Sequence, residues 1–145
     1  MPGVICVDAS VALLWLLTDK ETPAARRLRQ FCNREDILMI APALFRAEVT
    51  SAIRRWAFSG DIDLSLAREA LGRSLRFPVS VEHDFDALQL RAFDIATRLN
   101  RPRAYDTQYL ALAEFRECEL WTADKRFVNA ARDEFRNVRW IGDFP

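Results

Sequence analysis

Val4-Ile5-Cys6-Val7-Asp8 is the stretch that decides the fold. Its apolar residues run without a break and are mostly β-branched, and they lack the alternation of a half-exposed strand. Such a run reads as a strand buried on both faces, the signature of a parallel sheet. Asp8 ends it abruptly, and either Asp8 or Ser10 then reads as the cap of a helix from Val11 to Leu17. A carboxylate just past the end of such a strand stands where open parallel sheets bind their ligands.

Ile37 to Ile40 repeats the pattern downstream, and Pro78 to Val81, Glu119 to Thr122 and Val138 to Ile141 read as further short strands. Helical patterns separate these runs. Glu21-Thr22-Pro23 starts a helix that reaches about Asn33, with Pro at its first position. Another spans Leu44 to Phe58 and is closed by Ser59-Gly60, and Asp61 to Asp63 opens one from Leu64 to Leu75. Asp84 or Asp86 caps a helix through Leu99 whose Leu88, Phe93, Ile95, Ala96 and Leu99 fall at helical spacing, until Asn100-Arg101-Pro102 stops it. Tyr105 to Cys118 follows, with apolar Tyr109, Leu110, Leu112, Ala113 and Phe115, and Lys125 to Phe135 is the last helix. Strands alternating with helices predict an α/β fold, an open parallel sheet covered on both faces.

The 145 residues suit one domain, 1–145, sharing one core, and ten Phe with four Trp supply material to fill it. Lys and Arg number 21 and are matched by 21 Asp and Glu, so there is no bulk positive field and a polyanion has to bind locally. Cys6, Cys32 and Cys118 are odd in number and set in apolar or helical surroundings, so they read as reduced core thiols. Met1-Pro2-Gly3 lacks the basic start of a secretory signal, and no stretch approaches the ~18 apolar residues of a membrane span. A cytoplasmic protein is expected.

Asp8 and Asp124 each stand at or just after a strand end, Asp106 lies in the first turn of its helix, and Glu48 sits in the second turn of another beside Val49 and Ala52. Taken singly, the three aspartates read as helix caps, and Glu48 as a partner for Arg46 or Arg55. Taken together they read as one metal site. Carboxylates converging on a crevice raise one another's pKa unless a counter-charge is present, and hard oxygen donors without His or Cys select Mg²⁺ or Mn²⁺. Such a site polarises a phosphodiester and activates a water, with one ion or with two about 4 Å apart. His83 is the only histidine and lies in a polar connection, so catalysis by a histidine pair is excluded, and no Gly-rich phosphate loop is present. Ser10 and Thr122 read as cap and strand hydroxyls, or as supports of a metal ligand.

Val7-Asp8-Ala9-Ser10-Val11, Ala47-Glu48-Val49, Tyr105-Asp106-Thr107-Gln108-Tyr109-Leu110-Ala111-Leu112-Ala113 and Thr122-Ala123-Asp124-Lys125-Arg126-Phe127 resemble, in order and spacing, the motifs of PIN-domain ribonucleases, most closely the VapC toxin branch. The resemblance spans essentially the whole chain. It implies a three-layer α/β/α sandwich around a five-stranded parallel sheet. It also implies a Mg²⁺-dependent endoribonuclease whose catalytic and metal-binding residues are Asp8, Glu48, Asp106 and Asp124, the last binding either directly or through water. Toxins of this branch cleave structured RNA such as tRNA or rRNA, usually as homodimers, and are silenced by an antitoxin protein. Thr107 departs from the pattern, in which Ala is common. A haloacid-dehalogenase-like phosphatase would place a second Asp at Ser10, and a von Willebrand-type metal site a hydroxyl at Ala12. Neither pattern is met.

Arg101, Arg103, Lys125 and Arg126 are the candidate RNA contacts near the acids, and each reads equally as a solvated surface charge. Arg26, Arg27 and Arg29 read as a solvated helix face. Trp15, Phe45, Trp56 and Phe58 read mostly as core, with any exposed member marking an interaction surface. The competing class is a catalytically silent PIN-like RNA-binding or assembly module.

Overall fold

Five strands, β1 (Val4–Val7), β2 (Leu38–Ala41), β3 (Val79–Val81), β4 (Glu119–Thr122) and β5 (Val138–Trp140), form one sheet in the order β3-β2-β1-β4-β5. Every pairing is parallel. This computed structural model describes residues 3–145, so the reading of Met1-Pro2 lies outside the described residues. Seven helices connect the strands: α1 (Ala9–Leu14), α2 (Pro23–Arg34), α3 (Phe45–Ser59), α4 (Leu64–Ser74), α5 (Asp86–Arg98), α6 (Asp106–Phe115) and α7 (Lys125–Ala131). A 3₁₀ turn, Ile141–Asp143, follows β5.

The unbroken apolar runs have the physical cause expected of them, since successive strand residues serve opposite faces. Cys6, Ile40 and Leu120 point into a core shared with α3, α4, α5, α6 and α7. Val7, Met39 and Trp121 point into a second core against Ala25, Leu28 and Cys32 of α2. Cys6 pairs with Ile40 and Leu120 in register, so each layer of the sheet carries one side-chain row per face. The result is the three-layer α/β/α sandwich. All three cysteines are free and buried.

β1 is central, and the chain leaves it toward β2 on one side and reaches β4 on the other only after six helices, β2 and β3 have intervened. The crevice where the winding direction reverses therefore opens between the carboxyl ends of β1 and β4. Asp8 N–H donates to the Trp121 carbonyl at 3.0 Å, tying those two ends together.

Element ends differ from the expectations where local chemistry is subtle. Neither Asp84 nor Asp86 caps α5; its N-cap is Phe85, which has no side-chain cap, and Asp86 is the first helical residue. α1 stops at Leu14 and α7 at Ala131, both short of the expected ends. Phe93 and Phe115 fit the helical spacing, yet both are exposed, because the buried stripes of α5 and α6 run through Leu88, Ala92, Ile95 and Ala96 and through Tyr109 to Ala113. Of the aromatics around α1 and α3, Phe45 is core, Trp15 and Trp56 are half-buried and Phe58 is 81% exposed. Among the described residues no helix is long and apolar enough to cross a membrane.

Candidate acidic site

Asp8 occupies the N-cap position of α1 but makes no cap bond with its side chain. Its carboxylate turns instead toward the hydroxyls of Ser10, which donates to Oδ2 at 2.6 Å, and Thr122, which donates to the same oxygen at 2.8 Å. Ser10 Oγ in turn accepts from the Ala123 N–H, and Thr122 Oγ1 from the Asp124 N–H. The two hydroxyls thus bind the end of β1 to the loop after β4. Burial pushes the Asp8 carboxyl up to about 6, with a further push from the charge of Asp106 and an opposing pull from the two hydroxyls.

Glu48 lies in the first turn of α3, one turn earlier than its sequence pattern suggests. It pairs with neither Arg46 nor Arg55. Its Oε1 accepts the hydroxyl of Tyr109 at 2.7 Å. Tyr109 is fully buried, and burial together with the neighbouring acids drives its own pKa far upward, so it stays a donor. Burial also raises Glu48 to about 7; the Tyr109 bond works against this, and the charges of Asp8 and Asp106 add to it.

Asp106 begins α6, where a negative charge suits the helix dipole, and the N-cap Tyr105 offers no side-chain cap. Its carboxyl is raised by partial burial and by the charge of Asp124, while Arg101 pulls it down. Arg101 Nη2 stands 3.4 Å from Asp106 Oδ2. Asp124 is a true N-cap, accepting the Phe127 N–H on Oδ1 at 3.1 Å. Glu48, Asp106 and Asp124 each keep a second oxygen outside any hydrogen bond among the described residues.

All four acids thus belong to one electrostatic unit: Asp8 feels Asp106, Glu48 feels Asp8 and Asp106, and Asp106 feels Asp124. They do not form a closed cage, because among the described residues no three Asp, Glu, His or Cys side chains gather tightly enough to hold an ion unaided. A separate concavity of about 470 Å³ is lined by Phe45, Arg46, Phe77 and His83. The donor chemistry nevertheless fits a hard divalent cation. The acids are oxygen-only, they repel one another, and among the described residues a single cation, Arg101, is paired with them.

The other candidate contacts separate. Lys125 Nζ lies over the Trp140 ring, 4.3 Å from its centroid. Arg103 and Arg126 are exposed and make no ion pair among the described residues. Arg26 and Arg29 pair with Glu21, and Arg27 reaches the carbonyls of Phe144 and Pro145. Tyr109 is the residue that sequence reading assigned to the core alone. It lies three positions after Asp106, on the same helix face, which is the one signal that links it to the acids.

The model of the PIN domain family matches residues 5–133. VapC ribonuclease Mb0985 of Mycobacterium bovis is 35% identical over 132 residues, covering 89% of this chain and 92% of the relative. Among solved structures, VapBC2 from Rickettsia felis, bound to a DNA fragment from their promoter, superposes with a TM-score of 0.67 at 10% identity, over 94% of this chain and 96% of the other. VapC20 of Mycobacterium tuberculosis, a Sarcin-Ricin loop cleaving toxin, gives 0.65 at 17% identity, over 90% and 95%. Fold, family match and relatives agree: the chain belongs to the PIN domain family, in its VapC branch.

Proposed function

We propose that this chain is a single-domain, Mg²⁺-dependent endoribonuclease, the toxin of a VapC-type toxin-antitoxin pair. The observation that carries this reading is the gathering of Asp8, Glu48, Asp106 and Asp124 beside the β1 and β4 ends, with Asp8 held by the Ser10 and Thr122 hydroxyls and Glu48 by Tyr109. Acids left only to cap helices have no reason to converge on one crevice where burial raises the pKa of Asp8, Glu48 and Asp106. The relatives' names support RNA as substrate, and the VapBC structure supports an antitoxin partner; a structured RNA of the tRNA or rRNA class is inferred by analogy with the branch. A cytoplasmic homodimer completes the reading by analogy with the branch.

In this reading Asp8, Glu48, Asp106 and Asp124 hold Mg²⁺, with Mn²⁺ an effective substitute. When bound, the ion supplies charge neutralisation, polarisation of the phosphodiester and activation of a water. The chain's own residues prepare that site. Ser10 and Thr122 fix the Asp8 carboxylate, so that its orientation is set before any ligand arrives. Tyr109 does the same for Glu48 from α6, packed on the same face of the sheet. Asp124 is held by its own helix start. Arg103, Lys125 and Arg126 contribute positive charge at the rim for the RNA backbone.

The chemistry of the RNA ends tests this. Water attack directed by the acidic site leaves 5′-phosphate and 3′-hydroxyl ends; cyclic phosphate ends would indicate attack by the ribose 2′-hydroxyl and rule the reading out.

A further inference from the structure

Arg101 is the only Lys or Arg paired with a site carboxylate among the described residues. Its backbone is fixed: the Arg101 N–H donates to the Ala96 carbonyl at 2.8 Å, just after Asn100 takes a left-handed φ of 51°. Its guanidinium lies over the ring of Phe127, 5.4 Å from the centroid. Phe127 is the residue whose N–H is capped by Asp124. The guanidinium is therefore braced between the Asp106 carboxylate and the Phe127 ring. Its bond to Asp106, at 3.4 Å, is longer than the 2.7–3.2 Å usual for an N–H donor to oxygen, and Arg101 remains partly exposed. A cation held on an aromatic face by one long bond is well placed to leave.

We propose that Arg101 is the built-in counter-charge of the acidic site, sharing Asp106 with the metal and passing to an RNA phosphate when the metal takes Asp106. The idea rests on the carboxylate reading given above. A guanidinium and a divalent ion repel each other, so they do not share Asp106 at full strength. Once displaced, the guanidinium keeps its ring support and presents forked donors suited to phosphate oxygens. Arg101 thus lowers metal affinity in the free protein and raises affinity for the substrate in the loaded one.

The test is calorimetric titration of Mn²⁺ into the RNA-free protein and its R101Q, R101K and D8N variants. R34Q serves as a control for net charge, since Arg34 pairs with Glu35 on α2. Removing one positive charge from the site is expected to tighten Mn²⁺ binding about tenfold in R101Q, with R101K close to the parent and R34Q unchanged. The same R101Q protein should cleave a structured RNA about tenfold more slowly at saturating metal. Unchanged or weaker Mn²⁺ binding in R101Q, while D8N loses it, overturns the role of Arg101 and leaves the carboxylate site standing. Equal binding by the parent and D8N overturns both. Circular dichroism and melting temperature confirm that each variant is folded before it is titrated.

Discussion

Asp8 and Glu48 are the residues whose chemistry the fold changes most. Both hold their proton more tightly folded than unfolded, at about 6 and about 7. The stability they contribute is fully present below pH 4 and is lost as pH rises through those values, on the order of 2–3 kcal/mol for the fully buried Asp8. The melting temperature in EDTA should therefore fall between about pH 4 and pH 7. Asp8→Asn, which cannot ionise, should flatten that decline, and an equal slope in the variant would show that Asp8 is ordinary. Mg²⁺ at pH 8 should restore what was lost. Thr107 gives a second test at this scale, because its hydroxyl is buried without a partner. Thr107→Ala removes an unmet hydrogen-bonding group and should leave stability, measured by urea unfolding, unchanged or higher by about 1 kcal/mol. A loss of several kcal/mol would reveal a bond to that hydroxyl.

At the level of elements, Asp124 is where cap and site coincide. Asn preserves the α7 cap and Ala removes it, at about 1 kcal/mol, whereas both remove the charge. Asp124→Asn should keep the melting temperature and lose most RNA cleavage, while Asp124→Ala loses both. Full activity in the Asn variant would reduce Asp124 to a cap. At the end of α3, Gly60 holds a φ of 82°, so Gly60→Ala should cost about 1 kcal/mol in urea unfolding without altering cleavage. The elements themselves were legible wherever a strong punctuation residue stood, as with Thr22-Pro23 and Ser59-Gly60. They were less so at α5, where Asp84 and Asp86 look like caps but Phe85 takes the position, and at Phe93 and Phe115, whose spacing fits the core although they lie outside the buried stripe. Periodicity says which residues share a face; it does not say how wide the covered part of that face is.

For the whole molecule, alternation of strands and helices announced a parallel sheet, but the order β3-β2-β1-β4-β5 depends on crossovers that no local pattern encodes. That order is what brings Asp8 and Asp124 to one crevice. The acids could be named from the sequence because each stands at an element boundary or on an apolar helix face. Ser10 and Thr122 stand next to the aspartates in their motifs and could be read as supports, but Tyr109 could not be tied to Glu48, which is 61 positions away. Cleavage of a structured RNA by the purified protein in Mg²⁺, in EDTA, and with Asp8→Asn and Asp106→Asn tests the central claim most directly. The account predicts cleavage in Mg²⁺ that EDTA abolishes and readded Mg²⁺ restores, and a loss of at least about a hundredfold in either variant. Cleavage that persists in EDTA, or in both variants, would contradict it.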